Sequence, residues 1–290
     1  MSKTRIADLS GPSRLLIEPI VRAALHEDLG RRGDVTSEAV IPADARMRGQ
    51  IAARQPGTLA GIDAARLAFE LVDPSVSVEI VAMDGASFVP GDAVLRMEGP
   101  ARSVLTAERV ALNLLCHLSG IATATADLVA VAKAQGTADI VCTRKTTPGL
   151  RVLEKHAVKA GGGGNHRFGL DDAILIKDNH IAVAGSISEA MTRAKAYAGH
   201  MLMIEIEVDT LEQLQEAMPH KPGAVLLDNM SPETLAEAVR IVDGRAITEA
   251  SGGMTRETVG PVSASGVDLI SVGWLTHSAP IVDLGLDEIG

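Results

Sequence analysis

Residues 201–229, MLMIEIEVDTLEQLQEAMPHKPGAVLLDN, contain the pattern that decides the fold of this chain. An almost continuously apolar segment at 201–206 is followed by an amphipathic segment that begins at the capping box Thr210-x-x-Gln213. A second apolar segment occupies 224–227. Apolar strands that are joined by a helix of this kind are typical of parallel β/α units, in which the sheet is covered on both faces.

The same unit recurs along the second half of the chain. Further strand-like segments, the later ones about every 22 to 28 residues, lie at 138–143, 173–176, 246–248 and 269–272. Ser186-x-x-Glu189 and Ser231-Pro232 predict helix starts between them. The repeat predicts either a β/α barrel or an open doubly wound sheet.

The first half of the chain has a mixed pattern. Residues 15–29 have helical periodicity, whereas 46–53 and 76–82 alternate as strands do, which together predict a small α/β domain. From 106 to about 134 the apolar residues recur at three- and four-residue spacing, which predicts one long helix or two helices joined near Gly120.

Polar residues follow the predicted strands at their carboxyl ends. They are Arg144-Lys145, Lys177-Asp178-Asn179, Glu205 and Glu207, Asp228-Asn229, Glu249 with Ser251-Gly252-Gly253, and Gly273. In β/α barrels the side chains at the carboxyl ends of the strands form the active site. A series of this kind across six units therefore predicts an enzyme site.

Charge and composition limit the partners of the protein. The 290-residue chain has a net charge of −10 and only 2% aromatic residues, which argues against nucleic acid as a partner. Against this acidic background, residues 143–180 contain seven Lys or Arg and four Asp or Glu. A solvated helix face is an equally good explanation for Arg151, Lys155 and Lys159, but not for the other cations.

The expected compartment is the cytoplasm. The N-terminal sequence MSKTRIADLS has no apolar targeting segment, and no stretch approaches the ~20 apolar residues of a membrane span, so no membrane association is expected. Cys116 and Cys142 lie among apolar neighbours without metal-ligand or CxxC spacing, which predicts buried thiols in a reducing compartment.

The cations after the strands indicate an anionic substrate. Arg144 and Lys145 directly follow a predicted buried strand, where unpaired charge would be costly. The glycines at 161–164 lead into His166-Arg167, either as a loop that approaches a ligand or as a flexible linker. Lys177 is either a charge partner for an anion or a Schiff-base nucleophile.

The carboxylates and the later glycines suit a phosphorylated substrate. Glu207 and Asp228 are candidates for binding Mg²⁺ and hydroxyl groups, with structural ion pairing as the alternative. Ser251-Gly252-Gly253 precedes a predicted helix, where free backbone N–H groups bind phosphate. No nucleophile–base pair is apparent, so catalysis by positioning and electrostatics is expected, although a Schiff-base lyase and a non-catalytic anion-binding protein remain open.

Long motifs in this chain resemble those of the quinolinate phosphoribosyltransferase family. The matching strings are TRKTTPGLR at 143–151, Glu154-Lys155, GGGGNHR at 161–167 and LIKDNHI at 175–181, with ERVALN at 108–113, SGIAT at 119–123, EIEV at 205–208, LDN at 227–229, EASGG at 249–253 and SVG at 271–273. The resemblance covers essentially the whole chain. It implies an N-terminal α/β sandwich at 1–115, joined by the C-terminal segment 276–290, and an open α/β barrel at 116–275.

The resemblance also implies the reaction. Quinolinate and 5-phosphoribosyl-1-pyrophosphate would give nicotinate mononucleotide, pyrophosphate and CO₂ with Mg²⁺, in de novo NAD biosynthesis. A paralogue associated with molybdenum transport shares the fold, and it is expected to diverge around 175–181, where this chain keeps the full string.

The resemblance assigns roles to individual residues. Arg144, His166, Arg167 and Lys177 would bind the quinolinate carboxylates, and Thr143 would be a further substrate-binding residue. The donor site would consist of Lys145, Glu207 and Asp228, the last two also holding Mg²⁺ directly or indirectly, and the 5-phosphate would bind to Ser251, Gly252, Gly253, Val272 and Gly273. Arg109 would reach into the site of a neighbouring subunit, which implies a homodimer or a higher homo-oligomer.

Two positions depart from the family pattern. Trp274 stands where a small residue is more usual, and His156 replaces a common tyrosine. Neither lies in the substrate motif, but Trp274 is expected to affect the edge of the phosphate pocket. The remaining histidines, including His117, lack metal-ligand spacing and are expected to be structural or on the surface, while the role of His180 stays open.

Overall fold

The computed structural model describes residues 10–289 and divides them into two compact units. The first contains the chain up to Ala126, Thr146–Gly162 and the segment from Leu275 onward, and the second contains Asp127–Lys145 and Gly163–Trp274. The units therefore divide the chain at other places than the predicted boundary at 115. Nine residues of the N-terminal segment on which the absence of a targeting sequence was argued lie outside the described range.

An antiparallel sheet organises the first unit. Its helices and strands are α1 (Arg14–Leu29), α2 (Val35–Val40), β1 (Arg46–Ala53), β2 (Gly57–Thr58), α3 (Ile62–Val72), β3 (Ser77–Ile80), β4 (Ser87–Phe88), β5 (Ala93–Pro100), the first part of α4 (Ala101–Gln135), α5 (Arg151–Ala160) and β12 (Leu284–Glu288). The main sheet has the order β12-β1-β5-β3. Ile51 and Leu95 are fully buried register neighbours in it, and each such side chain contributes roughly 1.5–3 kcal/mol.

Helix α4 is one continuous helix rather than two. Gly120 lies in the interior of this helix. A larger residue is excluded there, because a Cβ would come within 2.2 Å of the carbonyl oxygen of Pro280. The close approach of another segment therefore explains the glycine that had suggested a break. By length and composition α4 could cross a membrane, but half of its most apolar stretch is buried inside the protein, as is usual for a core helix.

The second unit is built on a parallel sheet. Its elements are β6 (Asp139–Val141), β7 (Ile174–Ile176), α6 (Asp178–Ala184), α7 (Ile187–Tyr197), β8 (Ile204–Val208), α8 (Leu211–Ala217), β9 (Ala224–Asp228), α9 (Pro232–Val242), β10 (Ile247–Ser251), α10 (Arg256–Ala264) and β11 (Leu269–Ser271). The predicted caps are present, since Ser186, Thr210 and Ser231 accept backbone N–H groups at the starts of α7, α8 and α9.

The strand order resolves the choice between a barrel and a doubly wound sheet. The six-stranded sheet has the order β6-β11-β10-β9-β8-β7, so the first strand pairs with the last as it does in a barrel. Beyond β6, Gly164 forms a parallel bridge with Val141. The predicted fold class, an α/β sandwich with an open α/β barrel, is confirmed.

The register of this sheet brings the predicted functional residues to one face. Glu207 is paired with Leu226, Leu226 with Glu249, and Asp228 with Ser251. Because side chains alternate between the two faces along a strand, these residues all point to the same side of the sheet. The sequence had placed them at strand ends, and the pairing makes them neighbours.

Candidate active site

Lys177 lies at the carboxyl end of β7, where it is the N-cap of α6. Its Nζ donates a hydrogen bond to Oε2 of Glu207 at 2.6 Å, and the Glu207 side chain is only 12% exposed. The ring Nδ1 of His180 accepts the backbone N–H of Lys177 at 2.9 Å. The open question about His180 therefore has a local answer, because this ring caps the helix that follows Lys177.

Asp228 is held by the residue that follows it. Nδ2 of Asn229 donates to Oδ2 of Asp228 at 2.6 Å, and the backbone N–H of Asn229 donates to the carbonyl of Ser251 at 3.0 Å. Asn229 adopts a left-handed conformation with φ of 53°. The sequence analysis placed Asn229 at a strand end but assigned it no role, although the tolerance of asparagine for this conformation was a usable signal.

Gly252 is required by its contact with Asn229. Its φ is +95°, and a Cβ at this position would lie 2.1 Å from Oδ1 of Asn229. Both the conformation and the close approach exclude larger side chains. The glycine thus connects the predicted phosphate loop to the strand end that carries Asp228.

A cavity of about 350 Å³ lies beside this loop. It is lined by residues of the β9–α9 and β10–α10 connections, among them Asn229, Pro232, Gly252, Gly253, Glu257 and Thr258. Trp274 donates from Nε1 to the carbonyl of Met254 at 2.9 Å, and Met254 also lines the cavity. The unusual tryptophan therefore fixes the loop that borders this cavity.

The segment after β6 brings two cations to the same sheet. Oγ1 of Thr143 accepts the backbone N–H of Lys145 at 3.0 Å, which makes a tight turn. Gly273 allows Lys145 to pass, because a Cβ at Gly273 would lie 2.9 Å from Cδ of Lys145. Lys145 is exposed and Arg144 is half-buried.

Arg144 acts on a second arginine. Burial lowers the pKa of Arg167, and the positive charge of Arg144 acts in the same direction. Nη1 of Arg167 donates to the carbonyl of Ala173 at 2.9 Å. Two guanidinium groups that repel each other in a partly buried site favour a bound anion.

His166 contacts two glutamates that the sequence analysis placed among the polar strand ends without assigning them a role. Its Nε2 lies 2.8 Å from Oε2 of Glu205 and 3.8 Å from Oε1 of Glu249, and its Nδ1 accepts the backbone N–H of Arg167 at 2.7 Å. Both carboxylates are buried. The sequence analysis had placed Glu205 at a strand end, but Glu205 lies inside β8, two residues before Glu207 and on the same face of the sheet. The carboxylate-binding role of His166 stays a prediction.

In the first unit, α5 anchors the substrate motif. Glu154 is fully buried, and it accepts the backbone N–H of Thr147 at 3.0 Å while its other oxygen lies 2.9 Å from Nε2 of His117. Lys155 is only 1% exposed, so the interpretation of it as a solvated residue is wrong. Lys155 lies three residues before the buried Val158, so both side chains are on the same face of the helix. That face packs against the core.

The remaining predicted residues of this unit can now be located in the structure. His156 is buried and lies 2.7 Å from Oδ2 of Asp84. A Cβ at Gly161 would come within 2.3 Å of the carbonyl of Ala122, so this glycine serves packing. Of the two cysteines, Cys116 in this unit is half-buried, and Cys142 in the second unit is buried. Arg109 is exposed on α4, and its role in a partner's site stays a prediction.

Family models match almost the entire chain. The model for the C-terminal domain of quinolinate phosphoribosyl transferase matches residues 121–287, and the model for its N-terminal domain matches 34–119. Both halves of the fold are thus covered by one family.

Individual relatives are similar over their full length. A protein of Bacillus subtilis named probable nicotinate-nucleotide pyrophosphorylase (carboxylating) is 42% identical over 95% of this chain and 94% of its own. A Mycobacterium leprae protein named nicotinate-nucleotide pyrophosphorylase (carboxylating) is 45% identical over 92% and 95%, respectively. The crystal structure of NadC from Streptococcus pyogenes superposes with a TM-score of 0.92 at 39% identity, covering 97% of this chain and 100% of that one. The predicted resemblance is confirmed, and the chain belongs to the quinolinate phosphoribosyltransferase family.

Proposed function

We propose that this protein transfers the phosphoribosyl group of 5-phosphoribosyl-1-pyrophosphate to quinolinate and releases pyrophosphate and CO₂, forming nicotinate mononucleotide for de novo NAD biosynthesis. One observation supports this most directly. Lys177, Glu207 and Asp228 lie at the carboxyl ends of adjacent strands in a chain of this family. The names of the relatives point to the same reaction.

The acceptor site would be cationic. Arg144, Arg167 and Lys177 provide three positive charges for a pyridine that has two carboxylates, with Thr143 and His166 completing the set. A guanidinium binds a carboxylate through two parallel hydrogen bonds, whereas an ammonium acts as a compact charge. A monocarboxylate would leave part of this charge unbalanced.

The donor site would combine Lys145 with the carboxylates. Glu207 and Asp228 share one face of the sheet and are partly accessible, so their hard oxygen atoms fit Mg²⁺. The ion, when bound, would offset the negative charge of the pyrophosphate. Ser251, Gly252 and Gly253, with Val272 and Gly273, would bind the 5-phosphate through backbone N–H groups near the start of α10.

The chemistry needs no protein nucleophile. The lone pair of the ring nitrogen forms the bond to C1 of the ribose while the bond from C1 to the pyrophosphate oxygen breaks. Glu207 and Asp228 would stabilise the positive charge that develops on the sugar. The 2-carboxylate then leaves as CO₂, its bonding electrons remain at C2 next to the cationic nitrogen, and C2 takes up a proton.

The alternative of a Schiff-base lyase is not favoured by the contact of Lys177. An ammonium group that donates to Glu207 has no lone pair for attack on a carbonyl. The molybdenum-associated paralogue is not favoured either, since both family models describe quinolinate phosphoribosyl transferase domains.

The proposed assembly is a homodimer or a larger homo-oligomer, working in the cytoplasm. The exposed guanidinium of Arg109 would complete the acceptor site of a neighbouring subunit. The acidic surface supports a small-molecule enzyme without nucleic acid or membrane partners.

An assay with purified protein tests the function. Quinolinate labelled in its 2-carboxylate should release labelled CO₂ only when the donor and Mg²⁺ are present. Nicotinate should react very little, because the three cations bind two carboxylates. Equal turnover of nicotinate would refute the acceptor assignment, and absence of CO₂ release would refute the reaction.

A further inference from the structure

One half-buried histidine and two buried glutamates meet beneath the predicted acceptor site. His166, Glu205 and Glu249 each present an atom within 4.8 Å of the others. The side chains of Glu205 and Glu249 are 8% and 3% exposed. Among the described residues, Oε1 of each glutamate is buried without a hydrogen-bond partner. Two such carboxylates need either a cation or a proton between them.

The hydrogen bonds of His166 favour a proton over a metal ion. Nδ1 accepts the backbone N–H of Arg167, so this nitrogen carries no hydrogen. In a neutral imidazole the hydrogen must then be on Nε2, which donates to Glu205. A nitrogen that carries a hydrogen has no lone pair for a metal, and the tautomer therefore argues against a metal centre here.

The surroundings identify which carboxylate holds the proton. Burial raises the pKa of Glu249 to about 7, and the negative charge of Glu205 acts in the same direction, against the weaker effects of His166 and the Ser271 hydroxyl. Glu205, by contrast, accepts a hydrogen bond from His166 and interacts with the positive charge of Arg167.

The other charged groups on this face lie closer to its edge. Lys177 and Glu207 lie nearer the carboxyl ends of the strands than Glu205 does. On β9, Leu226 is the register partner of Glu249, and Asp228 lies two residues closer to the carboxyl end than Leu226. On the other side of Glu249, β11 presents Leu269 and Ser271, which do not titrate. Nε2 of His166 lies 3.8 Å from Glu249 but only 2.8 Å from Glu205, and Nζ of Lys177 lies 2.6 Å from Glu207.

We propose that Glu249 is a positioning residue that keeps its proton in the working enzyme, so that the Glu205–Glu249 pair has a single negative charge. This charge orients His166, and His166 fixes the backbone of Arg167 through Nδ1. The inference rests on the proposed function insofar as Arg167 binds the acceptor.

The proton also matters for the charge of the site. A second negative charge beneath Arg167 would lower the positive potential that attracts a dicarboxylate. Loss of the proton from Glu249 should therefore weaken acceptor binding, while the donor, which binds at Lys145 and the glycine loop, should be affected less.

The test compares wild-type enzyme with Glu249→Gln, which is an isosteric mimic of the protonated acid. The KM for quinolinate in the wild type should rise about tenfold between pH 6 and pH 8.5. A change of this size is expected when Glu249 gains a negative charge near the cations that bind the acceptor. In Glu249→Gln this rise should be absent. Titration of the donor phosphate is common to both enzymes, so the comparison isolates Glu249. Glu27→Gln, an exposed carboxylate on α1, is the matched control and should behave as the wild type does.

A measurement without turnover separates this inference from the proposed function. Difference infrared spectroscopy of the wild type should reveal a protonated carboxyl band that disappears between pH 6 and pH 8.5 and is missing from Glu249→Gln. An unchanged pH dependence of KM in Glu249→Gln, or absence of the band, would overturn the proposal. So would a stoichiometric metal in the purified protein that Glu249→Gln loses. An enzyme that has the band but no activity with quinolinate would refute the function alone.

Discussion

Nζ of Lys177 and Oε2 of Glu207 are 2.6 Å apart at the carboxyl ends of two neighbouring strands. Lys177 is 47% exposed and Glu207 is 12% exposed, so the ammonium group of the pair reaches solvent while the carboxylate is largely covered by protein. A cation predicted to bind the acceptor and a carboxylate predicted to serve the donor thus meet at this pair.

Replacement of Lys177 by methionine should lower kcat/KM for quinolinate by about 100-fold, since it removes one of the cations proposed to bind the carboxylates and a hydrogen bond to a charged group contributes about 1.5–3 kcal/mol. Lys177→Arg should recover only part of the activity, because the guanidinium cannot occupy the same compact position. Steady-state kinetics provide the measurement, with the exposed Lys195→Met on α7 as the control.

Borohydride should not inactivate the enzyme in the presence of quinolinate and donor. The ammonium of Lys177 is already engaged with Glu207, and the proposed chemistry forms no imine. Peptide mass spectrometry after reduction is the check. A covalent adduct on Lys177 would mean that the transferase mechanism is wrong.

Mixing two inactive variants should restore activity. In a dimer of Arg109→Ala and Lys177→Ala subunits, one of the two sites has both an intact Lys177 and the Arg109 of its partner. Random exchange would make half of the dimers mixed, so recovery should approach about a quarter of the wild-type rate. If the mixture stays inactive after verified subunit exchange, Arg109 does not serve a neighbouring site.

Gly252→Ala should raise the KM for the phosphoribosyl donor at least tenfold, because the added Cβ meets Oδ1 of Asn229 and displaces the loop. Gly244→Ala is the matched control. Gly244 also has a positive φ, of 67°, but a Cβ at this position would have no atom within 4 Å of it. Both variants share the backbone strain, and only the first should lose donor affinity.

Glu249 should make stability depend on pH. Its folded-state pKa of about 7 lies above the ordinary value of 4.5, so the folded protein retains a proton that the unfolded chain releases. The stabilising contribution is complete below about pH 4.5 and is lost as the pH rises through about 7. Relative to Glu249→Gln, the wild type should lose on the order of 1–3 kcal/mol between these limits, as one pKa unit corresponds to about 1.4 kcal/mol. Denaturant unfolding at several pH values measures this, and parallel curves would contradict it.

The sequence by itself determined the family, the parallel β/α units and the positions of the polar strand ends. These are local or periodic properties: strand-like apolar segments, capping residues such as Thr210, and a long specific motif around Arg144 and Lys177. The strands that were predicted agree in their bounds to within three residues, whereas β2, β4, β5 and β12 had no predicted segment, and the single long helix was one of two alternatives.

Only the tertiary structure decided which side chains meet. Strand pairing brought Glu205 on β8 and Glu249 on β10, 44 positions apart in sequence, to the same face of the sheet, and a loop placed His166 beside both. Packing within the first unit buried Lys155, for which the sequence had left a solvated helix face open. Burial and close approach between distant segments set the desolvation and the charge interactions of a titratable group, and no local pattern in a sequence contains either quantity.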